Sequence, residues 1–346
     1  MNDGRRKWLG MLGLAALATL LAAGCVQKTE DAAPSATPPS TSSAAPSAAD
    51  KKLKIAVIPK GTTHQFWQTI KAGAEAAGAE PDVNAEILWN GPKSETEVKD
   101  QIDIVQGFAS QGVDGIALAA TNKESLSPVV DELQAKGIPV VTIDSGIEPD
   151  NSRSFIATDN VAAARLAAKS LGELLGGKGK VAVLSFLKGA GTSDEREQGF
   201  LEGIKEFPGI TVIPVEYTDS DANKAREKME TLLTQNADLA GVFASNEPNV
   251  KGAASVLVDR KLVGKVKLVG FDASDAEIEY LKDGTVQSLV VQDPFKMGYE
   301  GVKALAAIAR GKTAPEKRID TGAAVITKAN MDTPENHKLL FPLEKK

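Results

Sequence analysis

The run LKIAVIP at 53–59 is apolar and rich in branched side chains, and it gives way at once to Lys60, His64, Phe66 and Trp67. Two aromatic rings and two basic groups just past a buried strand suit a guest with both polar edges and apolar faces. Polar residues also stand at the ends of later apolar runs: Asp144 after PVVTI, Asn246 after GVFAS, Asp272 after VKLVGF and Gln292 after SLVV. Any one of them alone reads as a helix cap. Together, and with Arg196 in GTSDER, they describe something else. Carboxylates, amides and a guanidinium on one cleft can hold several hydroxyl groups, because each hydroxyl both donates and accepts.

The elements that must position these residues are short apolar runs, often β-branched, alternating with amphipathic helical segments. The runs are LKIAVIP, AEILWN, GIALAA, PVVTID and SFIAT, then KVAVLSF, ITVIPVEY, GVFAS, VKLVGFD and SLVVQ. This alternation predicts an α/β fold with parallel sheets covered by helices on both faces. The series divides into two similar halves, so two Rossmann-like lobes are expected: 51–158 with 293–321, and 159–292 with 322–346. The chain then crosses between lobes several times, which makes a hinge of short segments. Open parallel sheets bind ligands beyond the carboxyl ends of their strands, where the polar residues above fall.

Of the 346 residues 42% are hydrophobic, enough for more than one core, and the net charge of −6 excludes a basic footprint for nucleic acid or anionic lipid. The segment 1–25 reads as a targeting signal: the charged MNDGRRKW, then LGMLGLAALATLLAA, then small residues up to Cys25. Arg5 and Arg6 also fit a twin-arginine export signal. Cys25 is the only cysteine, so an internal disulfide is impossible. Its place after LLAAG resembles a bacterial lipoprotein lipobox, with Ala22 where Leu is usual. The resemblance implies lipidation at Cys25 and a membrane attachment through lipid alone. From 26 to 50 the chain is rich in Pro, Ala, Ser and Thr with little to bury, and a disordered tether is expected.

From Lys54 to about Lys328 the sequence resembles the type I periplasmic binding proteins, most closely the ribose-binding branch. The resemblance is carried by TTHQFW, GVDGIAL, GIPVVTID, IATDN, GAGTSDEREQGF, VFASNEPNVKGA, LVGFD and VVQDPFKMG, in that order. It implies that Phe66 and Trp67 pack on a sugar ring, that Asp144 is the family's carboxylate after the fourth strand, that Arg196 grips ring or anomeric oxygens, and that Asn246, Asp272 and Gln292 are the amide, carboxylate and amide of the second lobe and hinge. Three departures are visible. Ser145 stands where ribose binders have a second arginine, and Ser220 where they have a second-lobe aromatic. Lys60 and His64 replace a small hydroxyl residue and an amide, and Lys60 tilts the expected ligand towards one with an anionic group. The resemblance further implies a monomeric, extracytoplasmic binding protein at the periplasm or the outer face of the cytoplasmic membrane. It would serve the permease of an ATP-driven importer or, alternatively, a chemoreceptor or sensor kinase.

Rival chemistries are weaker. KGAGTSDEREQG holds a Gly-x-Gly but lacks the third glycine of a dinucleotide loop, and a helix starting near Thr192 is expected instead. DSDANKAREKME at 219–230 spaces its acids like a calcium loop, but Lys224 stands where Gly is required, so a helix beginning at Ala222 and capped by Ser220 or Asp221 is expected. His64 and His337 are the only histidines, too few for a zinc site. Asp144 and Asp272 could be imagined as a glycosidase pair. The Arg, Asn and Gln beside them would hold both ionised, which disfavours a general acid. No metal, cofactor or enzymatic activity is expected.

Overall fold

The computed structural model describes residues 51–313 and 315–344. The expected targeting segment, Cys25 and the expected tether lie outside the described residues. The first half of the chain runs β1 (Leu53–Ile58), α1 (Gln65–Gly78), β2 (Ala85–Trp89), α2 (Val98–Ser110), β3 (Gly115–Leu118), α3 (Lys123–Ala135), β4 (Val140–Ile143) and β5 (Phe155–Ala157). The second continues α4 (Asn160–Leu174), β6 (Lys178–Ser185), α5 (Gly191–Gly203), β7 (Gly209–Val212), β8 (Glu216–Tyr217), α6 (Ala222–Gln235), β9 (Leu239–Ala244), α7 (Glu247–Asp259), β10 (Lys267–Phe271), α8 (Asp275–Asp283) and β11 (Ser288–Gln292). Last come α9 (Pro294–Ala309), β12 (Arg318–Asp320), β13 (Ala323–Ile326) and α10 (Pro334–Leu340).

The strands form two sheets, ordered β12-β5-β4-β3-β1-β2 and β13-β11-β10-β9-β6-β7, with β8 on the far end of β6. All pairings are parallel except β11 with β13. The central strands β3, β4 and β11 are buried along their whole length, as strands with helices on both faces must be. Two details escaped the sequence. ITVIPVEY is broken at Pro214, which cannot donate to a ladder, into β7 and β8. β12 is a three-residue edge strand with no apolar run to announce it.

Between β5 and α4, between β11 and α9, and between β12 and β13 the chain passes from one sheet to the other. The first and third crossings are tied together: the Thr158 and Thr321 hydroxyls lie 3.3 Å apart, and Asp159 N donates to Asp320 Oδ1 at 3.1 Å. Helix α9 returns to the first lobe and packs in its core through Met297, Val302 and Leu305, while Leu340 of α10 joins the core of the second.

Each lobe has a helix pair that meets at bare backbone. A Cβ on Gly73 of α1 would fall 2.0 Å from Phe295 O, and one on Gly199 of α5 would fall 2.3 Å from Val161 O. Polar starts are equally local. Asp221 accepts from the amides of Asn223 and Lys224 and begins α6 at Ala222, so the spaced acids at 219–230 are a helix start. Helix α5 begins at Gly191, close to the expected Thr192. No helix among the described residues is long and apolar enough to cross a membrane.

Candidate ligand-binding site between the lobes

Two aspartates close off the matching strands of the two lobes. Asp144 follows β4 with φ 56° and Asp272 follows β10 with φ 81°, both in the left-handed region that few non-glycine residues adopt. Each is fixed by the neighbouring strand: Asp144 N donates to Ile156 O at 3.0 Å and Asp272 N to Val290 O at 2.9 Å. Strand ends that turn this sharply lift both side chains into the space between the lobes.

The first-lobe wall is built from β1 and α1. Phe66 and Trp67 meet edge to face, centroids 5.0 Å apart, and Trp67 Nε1 donates to Glu95 Oε1 at 3.1 Å. Lys60 Nζ stands 5.6 Å from the Trp67 ring centre and 5.2 Å from that of Phe186 in the other lobe. It pairs with Asp144 at 3.2 Å and donates to Thr192 Oγ1 at 2.8 Å, across the cleft. Lys60 is therefore a buried, partnered cation, and the expected tilt towards an anionic guest is not supported. His64 sits at the start of α1 without capping it and lies 3.3 Å from Glu95.

The second-lobe wall is held by Arg196. Its guanidinium stacks 3.8 Å above the Phe271 ring, its Nε donates to Asn160 Oδ1 and its Nη1 to Ser245 O, each at 2.8 Å, and Asp272 is 3.9 Å away. Asn246 does two jobs: its Oδ1 accepts from Asn249 N at the start of α7 while its Nδ2 donates to Ser220 Oγ at 2.8 Å. Here capping and lining coexist.

Of the candidate residues, Lys60, His64, Phe66, Trp67 and Asp144 from one lobe and Arg196, Asn246 and Asp272 from the other line a single narrow space of about 20 Å³, room for roughly one water. Gln292 is not on that wall; it stands behind it, donating to Asp272 Oδ1 at 2.6 Å. Ser145 is not on it either: it is fully buried with its hydroxyl unpartnered among the described residues. Wider parts of the cleft flank this narrow space. One, of about 460 Å³, runs from Phe66 and Asp272 to the C-terminal residues 339–344, and the other, of about 300 Å³, runs from His64 and Glu95 to Ser220 and Lys251.

The charges settle in opposite directions on the two walls. Burial pushes the Glu95 carboxyl up, but Lys60, His64 and Trp67 outweigh it and bring it down to about 2. Burial alone would depress His64; the hydrogen bond and charge of Glu95, with Glu247 and Asp272, raise it instead. Asp272 is raised, chiefly by burial, against the pull of Arg196 and Gln292. Arg196 and Gln292 favour its charged form, as expected, while burial is the larger influence and sets the direction. Behind it, burial and the carboxylates of Glu247 and Asp272 push Glu277 well above the ordinary range.

Comparison with known proteins matches residues 55–313 to the family described as periplasmic binding protein domain. The chain belongs to that family. A D-ribose/D-allose-binding protein of Pseudomonas aeruginosa is 28% identical over 276 residues, covering 78% of this chain and 86% of that protein. A carbohydrate transporter solute binding protein from Agrobacterium radiobacter, solved with D-arabinose, is 36% identical, covers 84% of this chain and 99% of that one, and superposes with a TM-score of 0.80. An ABC transporter solute binding protein from Agrobacterium vitis, solved with D-fucose, is 37% identical over 83% of this chain and 99% of its own, with a TM-score of 0.80. Members of the periplasmic binding protein family are solute-binding proteins, and they work outside the cytoplasm.

Four residues on the wall of this binding protein escaped the sequence reading: Pro248, which follows Glu247 in the first turn of α7, and three that carry chemistry or a ring. Phe186 follows β6 directly, so the strand-end rule would have found it, and it supplies the second-lobe aromatic that Ser220 lacks. Glu247 hides behind Asn246 as an apparent helix-start acid. Glu95 lies in the loop before α2, and no pattern in PKSETEV distinguishes it.

Proposed function

We propose that this periplasmic binding protein captures a neutral monosaccharide between its lobes and presents it to the permease of an ATP-driven importer. The observation that carries this reading is the pair of left-handed aspartates, Asp144 and Asp272, facing one space from opposite lobes beside Arg196, Asn246 and the rings of Phe66, Trp67 and Phe186. Acceptors predominate on that wall. Glu95 Oε2 and Asp144 Oδ2 have no hydrogen-bond donor among the described residues; Lys60 reaches the latter as an ion pair without hydrogen-bond alignment. Hydroxyl donors of a guest would satisfy them. Cations and carboxylates are both already paired, which favours a neutral guest over a sugar acid. The relatives solved with D-arabinose and D-fucose support the same class.

A sugar ring does not fit in 20 Å³, so admission requires the lobes to part and the Lys60–Thr192 bond to break. Guest contacts to both walls then favour reclosure, and the guest shifts the population by its differential affinity for the closed form. No bond of the guest is broken in this scheme, and the protein acts as a monomeric carrier without enzymatic activity. It is held to the membrane through a lipid on Cys25, a role tested by metabolic labelling with a fatty acid that Cys25→Ser abolishes.

The deciding experiment is a thermal-shift and calorimetric screen of pentoses, hexoses, sugar acids, nucleosides and amino acids. A neutral sugar binding at micromolar affinity, about 8 kcal/mol, is the expected outcome. Preference for a sugar acid or an amino acid, or turnover of the sugar, would overturn the reading.

A further inference from the structure

The first N–H groups of a helix need acceptors from outside the helix and carry a partial positive charge. At α1 the residue in the capping position, His64, makes no side-chain cap. The acceptors come from the other lobe. Glu247, the first residue of α7, places Oε1 3.4 Å from Gln65 N and Oε2 3.2 Å from Phe66 N. A carboxylate on a helix start is favourable in both charge and hydrogen bonding. It is 3% exposed, and its ion-pair partner among the described residues is Lys251 of its own helix, at 3.1 Å. The exchange is reciprocal. Gln65, the first residue of α1, accepts through Oε1 from Asp275 N, the start of α8, at 3.1 Å, and donates through Nε2 to Asp275 Oδ1 at 2.9 Å. Each lobe therefore caps a helix of the other.

We propose that Glu247 is a positioning residue that latches the lobes, with Gln65 as its counterpart, and so sets how long a guest stays bound. This deepens the two-lobe capture proposed above and rests on it. The latch acts through backbone amides of α1 and does not depend on which hydroxyls the guest carries. When the lobes part, two helix starts lose their acceptors and Glu247 is left among Asp272 and Glu277, carboxylates already crowded enough to raise Glu277. Parting is thus disfavoured from both sides, and the residue's effect falls on dissociation more than on encounter.

The test is Glu247→Gln in the full chain. Two readouts are taken: stopped-flow tryptophan fluorescence with D-arabinose and D-fucose, and NMR hydrogen exchange at the Asp275 amide, which Glu247 does not touch. The expected result is dissociation roughly tenfold faster, association changed by less than about twofold, and Asp275 exchange faster by a similar factor. A folded variant with unchanged Asp275 exchange overturns the latch, because a purely local role leaves that amide protected. If neither sugar binds the wild type, the capture reading loses its support, and the exchange at Asp275 still decides the latch. Should Glu247→Gln fail to fold, Gln65→Ala is read at the Phe66 amide: faster exchange there supports a shared latch and unchanged exchange overturns it.

Discussion

Asp144 and Asp272 occupy matching places in the two lobes, after β4 and β10, with the same left-handed backbone and the same bond to the adjacent strand. Their surroundings differ. Asp144 faces a buried ammonium, Lys60, at 3.2 Å. Asp272 faces a guanidinium at 3.9 Å, an amide at 2.6 Å, and the carboxylates of Glu247 and Glu277 behind it. One backbone device thus serves two electrostatic settings: a wall of matched charges in the first lobe and an acid-crowded wall held together by Arg196 in the second. A duplicated strand end fixes where a carboxylate points, and the residues around it decide which charges it meets.

The comparison can be broken most forcefully at Arg196. Arg196→Ala removes the second wall's buried guanidinium and its packing on Phe271, and a loss of about 3–5 kcal/mol in urea unfolding is expected, together with loss of sugar binding. A loss below about 1 kcal/mol would show that the second lobe does not depend on it. In the first lobe, Glu95 is the counterpart test. Its folded value of about 2 lies below its ordinary 4.5, so its contribution is present above pH 4.5 and disappears as pH falls towards 2. That contribution is on the order of 3 kcal/mol, and Glu95→Gln should flatten the acid limb of the stability profile.

The two aspartates themselves sharpen the contrast. Asp144→Asn leaves Lys60 buried without its close partner and should cost about 2–3 kcal/mol. Asp272→Asn removes a charge that burial already disfavours and should cost about 1 kcal/mol or less. Equal losses in parallel denaturation curves would erase the distinction. The smallest effect belongs to His64. Its folded pKa is raised, so its contribution is complete below the unfolded value of 6.5 and is lost as pH rises through the folded one. The melting temperature should fall over that interval in the wild type, and His64→Asn should remove the slope.

Much of this molecule was legible in the chain. The apolar runs located the core strands because a strand buried on both faces has no polar alternative. The polar residues that end them located the cleft, since Lys60, Asp144, Asn246 and Asp272 sit where loops leave a parallel sheet. Reading failed where the signal was not local. Ser145 looks equivalent to its neighbour Asp144, yet the backbone turn sends one side chain to the cavity and leaves the other off its wall. Glu95 belongs to the wall only because its loop folds back beneath Trp67 and His64. Lys60 reads as a free positive charge in sequence, and only the approach of Asp144 and Thr192 neutralises and holds it.

The sequence by itself determined the α/β class, the paired lobes and the strand ends at which chemistry is possible, because periodicity and helix starts are properties of neighbouring residues. The tertiary structure alone decided which carboxylates are partnered, which are crowded, and which amide of one lobe meets which acid of the other. Those outcomes depend on distance and burial between residues far apart in the chain, 210 positions in the case of Gln65 and Asp275. Charge responds to the dielectric and the partners that folding assembles, and no local pattern records them.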